Sequence, residues 1–263
     1  MRRSARPEPA RPAPGRHGAG LLCAAWLALA PPASAADAPV APPDAATFAT
    51  QAASSDARQV AAWVIDQGDN QGLPFVIVDK AGGEVFVIDA RGKLLGAAPA
   101  LLGLARGDDS PPGIGDRKLA TITPAERITP AGRFVAGLGD NLGGGEVLWV
   151  DYGAAISLHA VITTKPAEHR LARLATPSPS DNRISYGCIN VPAAFFNTVV
   201  RPTFKASAGI VYVLPETRSI QSVFFTAPAA AAATTASAQK AASPGPGDRP
   251  SIDANRIARA GAD

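Results

Sequence analysis

The sequence predicts a mainly β domain over residues 58–225 with a few short helices. Three observations predict it. Short runs rich in β-branched and aromatic residues recur along the chain, turn-forming residues separate them at hairpin spacing, and stretches with helical periodicity are few and brief. The first element is one of those helices. Ser54 or Ser55 can cap it, Val60, Trp63 and Val64 share a face, and Gln67-Gly68-Asp69-Asn70 ends it. Phe75–Asp79 and Glu84–Asp89 then read as two strands around the hairpin punctuation Lys80–Gly83. Arg91-Gly92 is a second turn, and Lys93–Leu102 a third strand. Asp108–Gly115, with two prolines and two glycines, reads as loop. Arg133–Ala136, Val147–Val150, Ile156–Ala160 and Gly209–Leu214 are further strands, and Leu171–Leu174 and Ala193–Val200 are helical.

The flanks differ in composition from this core. An arginine-bearing leader precedes the apolar run Gly20–Ala30, then Pro31-Pro32 and the small-x-small triplet Ala33-Ser34-Ala35. That is the layout of a secretory signal, with cleavage expected near Ala35/Ala36. Eleven apolar residues are too few for a membrane span, which takes about 20, so no stable span is expected after cleavage. Residues 36–57 read as an Ala/Pro-rich linker running into the first helix. Residues 226–263 read as an Ala/Pro-rich disordered tail, with a possible helical stretch at Ile252–Ala260.

Composition also excludes function classes. With 46% hydrophobic and 18% charged residues the chain is too polar for a multi-span membrane protein and too apolar for wholesale disorder. The formal charge of +3 comes from the leader, where five arginines face one acid. The remainder holds 20 basic and 21 acidic residues, so nothing in the charge points to nucleic acid. Removal of the leader takes Cys23 with it and leaves Cys188 as the one cysteine, in an exported chain where no internal disulfide can form.

Cys188 lies in the segment richest in chemistry, Asn182-Arg183-Ile184-Ser185-Tyr186-Gly187-Cys188-Ile189-Asn190-Val191-Pro192. A lone cysteine is either a small buried hydrophobe or a reactive thiol. The preceding glycine permits a tight turn, the helix expected from Ala193 would bring its N-terminus near the sulfur, and backbone N–H groups around Gly187 and Cys188 suit an oxyanion hole. A cysteine nucleophile wants a base. His159, on an apolar strand, is either a satisfied core histidine or that base, whereas His169 sits in a polar, surface-like segment. One cysteine and two histidines without a close pair make no metal site. Gly137-Leu138-Gly139 and Gly143-Gly144-Gly145 lack the rest of a nucleotide-binding fingerprint and read as turns. No cofactor is expected.

Ser185-Tyr186-Gly187-Cys188-Ile189-Asn190 resembles the L,D-transpeptidase signature Ser/Thr-His-Gly-Cys-apolar-Arg/Asn. The hairpin at Phe75–Ala90, Thr129-Pro130-Ala131-Gly132-Arg133-Phe134 (the family's Thr-Pro-x-Gly-x-Phe segment) and His159 agree with it in order, over residues 74–215. The resemblance implies a β-sandwich-like catalytic domain, exported to the periplasm and acting on peptidoglycan stem peptides without a cofactor. It implies Cys188 as the acyl-accepting thiolate, His159 as base, the Ala160 carbonyl as the group orienting the imidazole, and Gly187 and Cys188 as oxyanion donors. Ser185, Tyr186, Arg183 and Asn190 are the expected substrate contacts. The implied reaction releases terminal D-Ala from a tetrapeptide stem and transfers the acyl group to an amine, giving a 3–3 cross-link. Water as acceptor would make the protein a carboxypeptidase or amide hydrolase, and loss of activity would leave a wall-binding protein. Three departures stand out. Tyr186 replaces the family's second histidine; a phenol keeps a hydrogen-bonding group without the basicity of imidazole. Asn190 replaces the commoner arginine, and Arg183 is the expected substitute cation for a stem carboxylate. Between His159 and Cys188 lie 28 residues, longer than is usual in the family, so Thr163–Asp181 reads as an inserted loop or lid. The sequence is silent on oligomeric state.

Overall fold

The computed structural model describes residues 53–225 apart from residue 142. The expected signal peptide (1–35), most of the linker, the tail (226–263) with its helical stretch, and Cys23 lie outside the described residues.

Helix α1 spans Ser55–Gln67; the Ser54 hydroxyl accepts from Ala57 N–H at 3.1 Å, and Gly68 caps the other end. Ala53 and Ala57 are buried, so the folded unit includes residues expected in the linker. Ten strands follow: β1 Phe75–Asp79, β2 Glu84–Ile88, β3 Leu94–Pro99, β4 Leu102–Gly103, β5 Gly132–Asp140, β6 Glu146–Asp151, β7 Ile156–Ala160, β8 Arg183–Ser185, β9 Ile189–Val191 and β10 Gly209–Val213. Eight of them form one mixed sheet in the order β3-β2-β1-β10-β5-β6-β7-β9, and β4 pairs with β8 separately. The fold is therefore mainly β with few short helices, as the sequence predicts.

Strand β5 joins two half-sheets. Its first half, Gly132 to Ala136, pairs with β10, and its second half, Gly137 to Asp140, with β6. The predicted turn at Gly137–Gly139 is thus strand; Gly139 permits close approach of the Trp149 ring. Side chains alternate along β1, β2 and β10 with period 2. One face, including Val76, Val78, Val85, Val87, Val211 and Val213, packs with Leu148, Leu158, Ile189 and Val191 of the other half-sheet to form the inner core. The opposite face, Phe75, Ile77, Phe86, Ile88, Ile210 and Tyr212, is covered by α1 and Phe224. Burial on both faces explains why these strands read as unbroken apolar runs rather than as alternating ones.

Two predicted boundaries shift for identifiable reasons. The single strand expected over Lys93–Leu102 breaks at Pro99, which has no N–H for the ladder, and the chain crosses to pair β4 with β8. The helix expected to end at Val200 continues through α-helical Ala193–Phe195, a wide π turn Phe196–Val200 and α-helical Arg201–Phe204; the wide turn precedes Pro202, whose ring would clash with a regular helical ladder. Phe196, Val200 and Phe204 bury into the inner core. The inserted loop holds a helix, α2, over Arg170–Ala175 between 3-10 turns at Pro166–Glu168 and Pro179–Asn182.

A buried charged cluster ties the loops at one end of this sandwich. Lys80, fully buried, donates to Asp108 Oδ1 at 2.9 Å and to the carbonyls of Gly107 and Thr129 at 2.5 and 2.9 Å. Asp108 also accepts from the backbone N–H groups of Glu216, Thr217 and Arg218. Burial alone would raise the Asp108 pKa, but the hydrogen bonds from Lys80, Thr217 and that backbone outweigh it and hold the carboxyl well below the usual range. A depressed carboxylate stabilises the fold above its unfolded pKa of about 3.9 and loses that contribution as pH falls further. Asp108→Ala leaves the buried Lys80 ammonium with the more distant Glu216 carboxylate, 3.7 Å away, and is expected to cost about 3 kcal/mol at pH 7, the lower end of the range for breaking a buried pair. Urea unfolding followed from pH 7 to pH 2 checks it: the gap between wild type and variant should narrow below about pH 4.

Candidate active site

The register of two parallel strands assembles the site. β7 pairs with β9 through Leu158↔Ile189 and His159↔Asn190. Leu158 and Ile189 face the inner core, so the alternation turns Ser157, His159 and Asn190 to the opposite face, with Cys188 just before β9. The Cys188 sulfur lies 3.8 Å from Ser157 Oγ and 3.8 Å from the Ala155 carbonyl. His159 is nearly buried, and its Nδ1 lies 2.8 Å from the Ala160 carbonyl oxygen. A carbonyl can only accept, so Nδ1 carries the hydrogen and Nε2 is left to take a proton. Burial pushes the Cys188 thiol up, but hydrogen bonding and charge from His159, with smaller help from Ser157, outweigh it and leave the thiol below its usual value.

The turn before the cysteine is tightly held. Gly187 has φ +128, and a Cβ there would meet the Ile128 carbonyl oxygen and Ile156 Cδ1, both at 2.7 Å. Ser185, buried, accepts from Gly187 N–H at 3.1 Å and donates to the Cys188 carbonyl at 2.6 Å. Thr129 donates to the Gly187 carbonyl at 2.8 Å and accepts from Gly103 N–H at 2.9 Å. Asn190 Nδ2 donates to the Cys188 carbonyl at 3.3 Å, while its Oδ1 accepts from Arg170 of α2 at 2.9 Å.

These contacts reassign several expected roles. Gly187 N–H is occupied by Ser185, which leaves the Cys188 N–H as the candidate oxyanion donor of the two, with no acceptor among the described residues. Ser185 and Asn190 brace the backbone of the turn, and their hydrogen-bonding groups are directed to Gly187, Cys188 and Arg170 rather than toward a substrate. Arg183 is not a substrate cation: its guanidinium is paired with both carboxylate oxygens of Glu216 at 3.1 and 2.6 Å and with the Lys80 carbonyl, and its side chain is 9% exposed. The expected helix N-terminus is displaced from the sulfur by β9, so the imidazole and Ser157, not a helix dipole, act on the thiol. His169 is exposed, in a left-handed conformation ahead of α2. Ser157, Thr129 and Arg170 were not singled out as site residues. Ser157 carries a signal in hindsight, standing two places before His159 on one strand face.

Cys188 and Tyr186 line a narrow, partly open cleft. One wall is Ile114, Leu119, Ile122 and Ile128; the other is Ala154, Ala155 and Ile156, with Ser110 at the rim. The walls meet at Gly115, where a Cβ would fall 1.9 Å from the Gly153 carbonyl oxygen. An apolar slot ending at an activated thiol suits acyl transfer through a thioester. Among the described residues no cluster of three His, Cys, Asp or Glu is placed to hold a metal ion, and no helix is long and apolar enough to cross a membrane.

No family model matches the chain, and no curated protein matches it. Among solved structures it is similar to the LD transpeptidase LdtMt1 in complex with imipenem, at 17% identity and a TM-score of 0.29. The match covers 54% of this chain, which spans 58% of that one. At that level of similarity the residues of the site, not the match, carry function.

Two substitutions test the geometry. Ser157→Ala should move the pH midpoint of Cys188 alkylation upward by roughly half to one unit, the scale of a long hydrogen bond to a charged acceptor. Gly187→Ala should slow alkylation at every pH, since the turn itself must shift.

Proposed function

We propose that the protein is a cysteine L,D-transpeptidase acting on peptidoglycan tetrapeptide stems in the periplasm. The observation that carries the reading is the juxtaposition of Cys188 with His159, the imidazole oriented by the Ala160 carbonyl, at the end of an apolar cleft. The signature Ser185-Tyr186-Gly187-Cys188-Ile189-Asn190 supplies the substrate class, and the leader at residues 1–35 supports export.

In this reading His159 Nε2 takes the thiol proton and Cys188 Sγ attacks the carbonyl carbon between the diamino acid and the terminal D-Ala. The Cys188 N–H donates to the oxyanion. As the C–N bond breaks, the imidazolium returns its proton to the leaving amine, and D-Ala departs, leaving a thioester. An amine of a second stem then attacks the thioester carbonyl and gives its proton to His159; the C–S bond breaks, and the thiolate recovers that proton. The 3–3 cross-link is the product. The apolar walls favour an amine over water by limiting solvent at the thioester.

The test is mass spectrometry of the purified protein incubated with a disaccharide-tetrapeptide, beside Cys188→Ala and His159→Ala. A dimer lighter by one D-Ala, absent with Cys188→Ala and reduced at least about 100-fold with His159→Ala, is the expected result. Tripeptide without dimer would replace the reading with a carboxypeptidase. Unchanged substrate, with no acylation of Cys188 by a carbapenem, would leave a wall-binding protein.

A further inference from the structure

With Arg183 held by Glu216, a different cation lies against the lining of the cleft. Arg127 lies at the end of the segment that walls the cleft, directly before Ile128. Its guanidinium carbon sits 3.9 Å over the centroid of the Tyr186 ring, and that ring lines the cleft beside Cys188. Among the described residues the Arg127 side chain makes a single hydrogen bond, at 3.4 Å to the Ile122 carbonyl, and its buried Nε has no acceptor. Among the described residues no carboxylate pairs with it. Its neighbour Glu126 is taken by Arg117, and Arg133, Arg170, Arg183, Arg201 and Arg218 each have an acidic partner.

A half-buried guanidinium whose Nε lacks an acceptor and which meets no carboxylate is incomplete electrostatically. Its face rests on an aromatic ring, which fixes its plane and leaves its edge to meet a planar anion. We propose that Arg127, held in place by Tyr186, binds the carboxylate of the acyl donor whose carbonyl Cys188 attacks. Tyr186 then has a reason to stand in place of histidine: a phenol ring stacks under a guanidinium and never becomes a cation that repels it. Identifying the carboxylate with that of a stem peptide rests on the transpeptidase reading; the anion site does not.

The test uses two alkylating agents of similar size and opposite demand, iodoacetate (anionic) and iodoacetamide (neutral). Rates are read at Cys188 by peptide mass spectrometry of the full chain. Their ratio cancels changes in thiol ionisation and access, and so survives a variant that perturbs the turn. Arg127→Ala and Tyr186→Ala should each lower the iodoacetate-to-iodoacetamide ratio about tenfold, the scale of one charge-assisted hydrogen-bonded contact. Arg127→Lys and Tyr186→Phe should restore most of it. Arg58→Ala, the same charge change on exposed α1, should leave the ratio at the wild-type value. A ratio unmoved by Arg127→Ala, or lowered equally by Arg58→Ala, overturns the proposal. A tetrapeptide donor compared with its C-terminal amide extends the test to substrate. Loss of the ratio effect defeats the anion site, whereas absence of cross-linking with the ratio effect intact defeats only the transpeptidase reading.

Discussion

The site depends on the absence of one side chain. Gly187 occupies a position where any Cβ would strike the Ile128 carbonyl and the Ile156 side chain, in a backbone conformation unfavourable to other residues. That close approach brings three segments together at one point. The strand carrying His159 begins at Ile156, the apolar wall of the cleft ends at Ile128, and the cysteine follows immediately. Thr129 then fixes the turn by accepting from Gly103 and donating to Gly187, linking β4 to the turn through one hydroxyl. The sulfur is therefore positioned by backbone held from several sides, and the precision that acyl transfer needs does not rest on a flexible side chain.

The same end of the fold buries an unusual amount of charge. Lys80, Asp108, Arg183 and Glu216 are all nearly inaccessible and share hydrogen bonds across the β1–β2 turn, the start of the cleft wall, β8 and the segment after β10. Ion pairs of this kind are weak sources of stability, because desolvation offsets their attraction. Their consequence here is geometric. A charged group this deep accepts few alternative arrangements, so loops far apart in sequence are held in one register, and the strand leading to Ser185 is among them. Thr129 belongs to both systems: its carbonyl accepts from Lys80 and its hydroxyl donates to Gly187.

What was legible in the sequence follows from the range of the forces involved. Strands β1, β2 and β10 stand out because both faces are buried and β-branched residues dominate them. Cys188 and His159 stand out because their chemistry is rare in this chain. The pairing of Arg183 is not legible because its partner, Glu216, lies 33 residues away, and only the fold shows that the guanidinium is already occupied. The segment after Cys188 was read as running straight into a helix, yet β9 intervenes. Three residues pairing with β7 and with Leu101 carry too little pattern to be distinguished from the apolar helix that follows. Arg170 was illegible for a similar reason. It sits in an inserted segment whose polar composition looks solvated, and its contact with Asn190 exists only because that segment folds back.

The surroundings of the sulfur set which protonation state each neighbour favours. The Ala155 carbonyl can only accept, so it favours the thiol; the Ser157 hydroxyl can donate, so it favours the thiolate. Ala155 adopts φ +54, rare for a residue with a side chain, and stands in the turn whose Gly153 carbonyl presses on Gly115. The two opposed contacts stand at the same distance, so neither decides the outcome alone. The hydrogen bond and charge of His159, together with Ser157, outweigh the penalty of burial. The orientation of that imidazole is fixed by one carbonyl on its own strand. The chemistry of the cleft then depends on the pairing of β7 with β9, which fixes the histidine and the cysteine relative to each other, and Gly187 makes that pairing possible.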